Sequence, residues 1–331
     1  MIGGYENMAE LIAHGLSANG HLVKLITQAR PVQGEHSNLD KNSPFEVIRQ
    51  PSFCTWHEAI KWSDIYLCFN ISIKALAPWL FCRRPLVVSH QGWYSDVTKQ
   101  MTLNARFKLL LTHFATNIAC SSAVANYLPS DSIIIPNSFD SGLFKCRPEV
   151  PRVKDVLFVG RLVSDKGCII LIEAIWNLVK SGLYPSVTIA GEGSEMPRLK
   201  DRVLELGMQD QVQFVGSKRG RELAELMNAH KILAVPSVWP EPFGIVALEG
   251  AGSGCVVVGS MEGGLGEAIG PCGIKVPNRE SSALAAAIQQ VLFSEGLDLC
   301  HSHARAAHLT RHLPQNITLA YECVLKTKIT N

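Results

Sequence analysis

At 331 residues, with 47% hydrophobic content and a formal charge of +2, the chain is long enough to bury two cores of ordinary size. Residues 1–140 carry 11 Lys/Arg against 10 Asp/Glu, which leaves 20 against 19 of the totals of 31 and 29. Neither half has the cationic excess of a polyanion binder, so no nucleic-acid partner is expected.

In chain order, short β-branched runs alternate with longer segments of helical period, the pattern of parallel α/β architecture. Strands are expected at 22–27, 45–49, 65–69, 86–90, 117–120 and 133–136, with helices between them, notably at 9–19 and 102–115. Residues 145–154, with Pro148 and Pro151 among five charges, break the periodicity and read as an interdomain linker. A second run of strands follows at 155–159, 187–190, 212–215, 231–235, 255–258 and 273–276. The expected organisation is therefore two doubly wound, Rossmann-like domains, 1–144 and 145–312, with a C-terminal helix at 313–331 crossing back to the first. Met1 is followed at once by Ile2-Gly3-Gly4 and a helix, with no room for an opening strand, so either the chain starts further upstream or the first domain is built around a missing first strand.

Ten cysteines occur with no C-x-x-C pair, which points to reduced thiols in a cytoplasmic protein and away from zinc or a disulfide framework. No apolar run reaches the ~18–20 residues that span a bilayer, and no basic leader opens the chain. A soluble, unexported protein is expected.

Chemistry concentrates in turns that follow strands. Gly160-Arg161-Leu162 with Lys166-Gly167 offers close backbone approach, a guanidinium and an ammonium, all suited to a diphosphate; the competing reading is a solvated turn with a helix cap at Asp165. Gly191-Glu192-Gly193 is a G-x-G whose third glycine position is Met196, so a tight turn explains it as well as a ligand does. The decisive stretch lies at 236–249. Pro240 and Pro242 stop a strand around Glu241, and a helix from Gly244 turns its unpaired N–H groups on the same crevice, with Glu249 further along it. Two carboxylates beside an anion-binding helix start suit sugar hydroxyls next to a phosphate.

These residues resemble a known family. The E-x7-E pair Glu241/Glu249, the Gly160-Arg161-Leu162 and Lys166-Gly167 turn, and Gly263-Gly264-Leu265-Gly266-Glu267 are similar to retaining glycosyltransferases of family GT4, which have the GT-B fold. The resemblance also touches Gly3-Gly4-Tyr5-Glu6, Gly20-His21-Leu22-Val23, His90 and Pro136-Asn137-Ser138-Phe139-Asp140. It implies that Arg161 and Lys166 neutralise the donor diphosphate, that Glu249 binds the nucleotide ribose, and that Glu241, with the backbone of Phe243, Gly244 and Ile245, orients the transferred sugar. Val215, Gly216 and Ser217 match the base site, Gly3, Gly4 and Gly191 the glycine turns beside the donor, and His90 a catalytic histidine facing the sugar.

The implied activity is transfer of a hexose from a nucleotide diphosphate sugar, UDP-glucose ahead of a GDP-sugar such as GDP-mannose, to a glycan or lipid-linked acceptor in envelope or exopolysaccharide synthesis. Of the ten aspartates none forms a D-x-D pair, so a metal-independent enzyme without cofactor is expected. A catalytically silent nucleotide-sugar-binding relative is the alternative, and a dinucleotide-dependent oxidoreductase is opposed by the lack of a full G-x-G-x-x-G after a strand. The helix at 102–115 interleaves Arg106 and Lys108 with Leu103, Phe107 and Leu110, and Arg83-Arg84 follow Leu80 and Phe81, so peripheral contact with the inner face of the membrane is a further expectation. His303, His308 and His312, with Cys300 and His301, read as a polar C-terminal helix rather than a metal site.

Overall fold

The computed structural model describes residues 4–29, 43–95, 101–294 and 302–329. It divides into two compact units, Met1–Ser138 with Pro314–Asn331, and Phe139–Leu313. All twelve expected strands form, within a residue or two of their predicted ends.

The N-terminal unit begins with α1 (Gly4–Ala18), β1 (Lys24–Thr27), β2 (Glu46–Arg49), α2 (Phe53–Trp62), β3 (Tyr66–Phe69) and α3 (Ile73–Trp79). It continues through β4 (Leu86–His90), α4 (Leu103–Leu111), β5 (Thr116–Ala119), α5 (Ser122–Tyr127) and β6 (Ser132–Ile134). Local chemistry sets several boundaries: the side chains of Ser52, Thr102 and Ser121 accept from the amides of Thr55 (3.1 Å), Ala105 (3.1 Å) and Val124 (3.2 Å), capping α2, α4 and α5. Every strand pairing is parallel, but the strands fall into two sheets, β1-β2 and β3-β4-β5-β6. β4 is buried throughout, as the interior of a parallel sheet requires, whereas all four residues of β1 are only half-buried.

The C-terminal unit contains β7 (Lys154–Val159), α6 (Cys168–Lys180), β8 (Val187–Ala190), α7 (Met196–Glu205), β9 (Val212–Gly216), α8 (Gly220–Ala229) and β10 (His230–Val235). It ends with α9 (Ile245–Gly252), β11 (Val256–Ser260), α10 (Leu265–Ile269), β12 (Gly273–Val276), α11 (Ser281–Phe293) and α12 (His303–Arg311). Its six strands form one parallel sheet in the order β12-β11-β10-β7-β8-β9. Val156 and Phe158 of β7, Ile189 of β8 and Ile232 of β10 share one core with Leu171 and Ile175 of α6 and Leu284 and Ile288 of α11. A doubly wound sheet with its first strand at the centre is the result.

The last helix, α13 (Pro314–Ile329), belongs to the N-terminal unit. A Cβ at Gly15 of α1 would strike the Thr318 side chain, so that glycine lets the two helices close on one another. Glu322 accepts from Asn19 (2.7 Å), lies 3.0 Å from His21 Nε2, and pairs with Lys326 (2.6 Å).

One expectation is corrected. Residues 145–154 are not a free linker: the Arg147 amide donates to Asn228 Oδ1 (2.7 Å), and the Arg152 guanidinium donates to the carbonyls of Met227 (3.1 Å), His230 (2.8 Å) and Ser253. Prolines and charges stop a helix there, but the same guanidinium satisfies carbonyls that the unit would otherwise leave unpaired. The polar helix expected at the C-terminus forms as α12, with Arg305, His308 and His312 buried on its inner face. Among the described residues no group of His, Cys, Asp and Glu is arranged to hold a metal, while Cys300 and His301 lie outside them. Every described cysteine is a free thiol, and no described helix is long and apolar enough to cross a membrane.

Candidate active site

The site builds along the carboxyl ends of β10, β7, β8 and β9, four neighbours in one sheet. Parallel α/β sheets bind ligands at that edge, where turns and helix starts present free backbone N–H groups.

After β7, Leu162 is fully buried while Arg161 stands exposed. The Leu162 amide donates to Glu192 O (2.8 Å), and the Glu195 amide donates to Leu162 O (2.9 Å). A Cβ at Gly191 would strike the Gly160 carbonyl, and one at Gly193 the Leu162 carbonyl. Close packing of the two turns thus accounts for the G-x-G, and Gly191 is itself buried. At the end of β9, Gly216 takes a left-handed conformation (φ 71°), and Ser217 N lies 3.5 Å from Glu192 Oε1. Val215, Gly216 and Ser217 therefore border the same crevice from the next strand.

Lys166 is placed by a clamp. Ser164–Lys166 forms a 3-10 turn and Gly167, left-handed at φ 66°, starts α6. A side chain on Gly167 would collide with the Pro236 carbonyl. Asp165 does not cap α6; its carbonyl accepts from the amides of Val238 (2.9 Å) and Trp239 (3.3 Å). The turn after β7 is thereby fastened to the loop after β10, which brings Lys166 Nζ to 2.6 Å from Glu241 Oε1. Ser237 Oγ donates to the same oxygen at 2.6 Å, leaving Oε2 outside both bonds.

Backbone contacts hold Glu241 in turn. It bridges Gly263 in parallel, and its carbonyl accepts from the Gly264 amide (2.7 Å). Gly263 sits at φ 74°, where any Cβ would strike that carbonyl. Asn278 Nδ2 donates to Ser237 O (3.0 Å) and Asn278 Oδ1 accepts from the Glu262 amide (3.2 Å), tying the two loops together. Gly244, at φ 106°, ends the loop and starts α9 at Ile245, so both α9 and α10 open beside Glu241.

Glu249, on α9, is half-buried, and burial followed by the nearby Asp140 carboxylate raises its own carboxyl to about 7. Asp140 Oδ1 accepts from the amides of Gly142 and Leu143, both at 3.0 Å.

The support beneath these residues was not legible in the sequence. Phe243 is buried with its ring 5.6 Å from that of His312, which lies 4.7 Å from His308. His308 Nε2 is 3.0 Å from Ala268 O, and Arg305 donates to the carbonyls of Ala251 and Cys255 (3.0 Å), where a cation complements the end of α9. Thus α12 braces both helices that open on Glu241. Arg305, His308 and His312 recur at helical spacing, but only packing could say which face they turn inward.

The remaining predicted residues lie in the N-terminal unit. His90 is fully buried at the end of β4, with Nδ1 2.8 Å from Tyr94 Oη and Nε2 3.0 Å from Asn117 Oδ1. Burial lowers its pKa to about 4, so the ring is neutral at physiological pH. Both ring nitrogens are engaged, and the ring joins β4 to β5 through Asn117. Gly4 is the first residue of α1, and Gly3 lies outside the described residues.

Residues 145–309 match the glycosyl transferases group 1 family. An uncharacterized glycosyltransferase of Methanocaldococcus jannaschii is 30% identical, over 81% of this chain and 79% of that one. The chain belongs to the glycosyl transferases group 1 family. This group 1 member is also 31% identical over 214 residues to a Mycobacterium tuberculosis glycogen synthase, covering 61% of this chain but 51% of the synthase, so it spans about half that relative's length. In fold it is similar to Anabaena HepE solved with UDP and glucose (TM-score 0.77, 25% identity, 98% of this chain and 96% of that chain). The α/β, GT-B class expected for this group 1 chain is the class observed.

Proposed function

We propose that the chain transfers a hexose from a UDP-sugar, glucose ahead of other hexoses and UDP ahead of GDP, to a glycan or lipid-linked acceptor, with retention of configuration and without a metal or other cofactor. The observation that carries this reading is the convergence of Lys166, Ser237 and Glu241 through side chains 2.6 Å apart, at the sheet edge where two helices open. In this assignment Lys166 and Arg161 meet the diphosphate, whose charge grows as the glycosidic bond breaks, and the start of α9 adds the partial positive charge of its amides. Glu241 accepts from the sugar hydroxyls while its bond to Lys166 keeps the carboxylate aimed. Glu249 takes the ribose, and the Val215-Gly216-Ser217 turn borders the base. HepE, solved with UDP and glucose, supports the choice of nucleotide and sugar. Retention rests on the family resemblance. A same-face substitution asks for leaving-group stabilisation rather than a protein nucleophile.

The role is assigned to envelope or exopolysaccharide synthesis in the cytoplasm, at the inner face of the membrane. Leu103, Phe107 and Leu110 of α4, with Arg106 beside them, and Leu80 and Phe81 with Arg83, are exposed, a mixture suited to an anionic lipid surface. The test is transfer from radiolabelled UDP-glucose in EDTA, with and without lipid-linked acceptors. Turnover that Glu241→Ala abolishes supports the proposal. Tight UDP binding without turnover across acceptors would favour the silent relative, and full activity in Glu241→Ala would overturn the role given to that carboxylate.

A further inference from the structure

The loop that carries Glu241 into α9 has little of its own to fix it. Gly244 takes a left-handed conformation (φ 106°) and has no side chain, so its neighbours must set the direction in which α9 starts. Contacts on either side supply that restraint. Toward Glu241 the loop is tied through the backbone to Gly263 and Gly264. Toward α9, Phe243 turns inward until it is 2% exposed, with its ring centre 5.6 Å from that of His312. His312 is held firmly in turn. Ser302 caps α12 by accepting from the Arg305 amide (3.2 Å), and the His312 amide donates to Leu309 O (3.0 Å) where the helix ends. Arg305, His308 and His312 share one face of that segment at helical spacing. Arg305 fastens the face to the end of α9, while His308 Nε2, 3.0 Å from Ala268 O, fastens it to α10. A Cβ at Gly270 would strike the His308 ring, so the chain closes on that imidazole and leaves it no room to shift. With His308 and His312 ring centres 4.7 Å apart, three rings run from α10 to the start of α9, the two helices that open beside Glu241.

We propose that His312 is a positioning residue for the donor: its ring fixes Phe243 and so aims the backbone N–H groups at the start of α9, on which the hold on the diphosphate depends. The inference rests on the assignment of that helix start to the donor. It concerns a different part of the site from the clamp on Glu241. Lys166 and Ser237 act on a carboxylate, a side chain that can change rotamer. The rings act on main-chain donors, whose direction follows the backbone and has no such freedom. Truncating His312 opens space beneath Phe243. The Phe243 ring then settles into it, the Phe243-Gly244 backbone follows, and donors that were preorganised for an anion turn away from it. A ring of similar size at 312 keeps Phe243 in place and preserves their aim.

The test titrates UDP and GDP calorimetrically into the parent chain, His312→Ala, His312→Phe and Leu178→Ala, and reads the tighter-binding nucleotide. Leu178 is buried in the last turn of α6, at the opposite end of that helix from Lys166, so its truncation leaves a cavity remote from the loop. The expected result is a Kd raised ~10-fold or more in His312→Ala, with His312→Phe and Leu178→Ala within ~3-fold of the parent. Unchanged affinity in His312→Ala overturns the positioning role and leaves the donor assignment standing. An equal loss in His312→Phe overturns it as well, because a ring at 312 is then not what matters, and so does an equal loss in Leu178→Ala, because any softening of the unit then has the same effect. A parent chain that binds neither nucleotide overturns the donor assignment and this inference together. Should His312→Ala fail to fold, Phe243→Leu takes its place and reads the same contact from the other side, with the loss of affinity again expected and its absence again overturning the proposal.

Discussion

The two units share a strand order around a centre that is filled in one and open in the other, and the N-terminal unit carries one more strand, β6, at its far edge. In the C-terminal unit β7 fills the centre of the sheet, and its buried Val156, Leu157 and Phe158 hold the turns that carry Arg161, Lys166 and Glu241. In the N-terminal unit the corresponding place is open, and β1 and β3 are each paired on one side. A central parallel strand is thus what joins the halves of a doubly wound sheet and sets the edge where ligands bind. Where that place is open, β1 and β3 form but are mostly half-buried.

The sharpest contrast should appear in amide exchange. We expect amides in residues 24–27 and 66–69 to exchange at least ~10³-fold faster than those of β7, which open only with the whole unit; equal protection, measured by mass spectrometry, would break the comparison. Next in size is chemistry in the complete unit. Glu241→Ala should lower kcat/KM by ~10²–10³-fold with UDP binding and thermal midpoint nearly unchanged, and Lys166→Ala should instead weaken UDP binding.

Stability follows. Arg305→Ala should cost about 3 kcal/mol in urea unfolding, because two carbonyls at the end of α9 lose a buried charged donor. Glu249 supplies a pH signature. Its carboxyl titrates near 7 in the folded chain against about 4.5 when unfolded, so between those values the folded state holds the extra proton. Its contribution is therefore most favourable below about 4.5 and declines as pH rises toward 7. Glu249→Gln should be more stable than the parent at pH 8, by at most about 3 kcal/mol, with the difference gone at pH 4. The smallest effect belongs to His90. Replacement by Gln, which can keep one of its two hydrogen bonds, should cost about 1–2 kcal/mol, and the sensitivity of transfer to that change measures how far a buried residue of the gapped unit acts on the reaction.

Much of the fold was legible because parallel strands buried on both faces read as short continuous apolar runs, as in Val156-Leu157-Phe158 and Leu86-Val87-Val88. The turns were legible because glycine marks close approach: Gly191 against Gly160, and Gly263 against Glu241, each meet a carbonyl where a Cβ would stand. The buried face of α12 was not, because its Arg and His residues are polar by composition and become structural only when carbonyls of α9 and α10 are set opposite them. The anchoring of 145–154 was hidden for the same reason, since Arg152 reads as a solvated charge until its three carbonyl acceptors are brought around it.

By itself, then, the sequence determined the doubly wound class, the order of twelve strands, and the identity of the residues at the carboxyl edge, because these depend on local periodicity and on the conformations only glycine and proline impose. Tertiary structure alone decided that Lys166 and Glu241, 75 residues apart, meet through one oxygen, that His90 is buried with both nitrogens engaged, and that a cavity lies beside β1 and β3. The physical reason is common to all three. Contact between distant segments and the dielectric around a charge are set by packing, and no local pattern of residues encodes them.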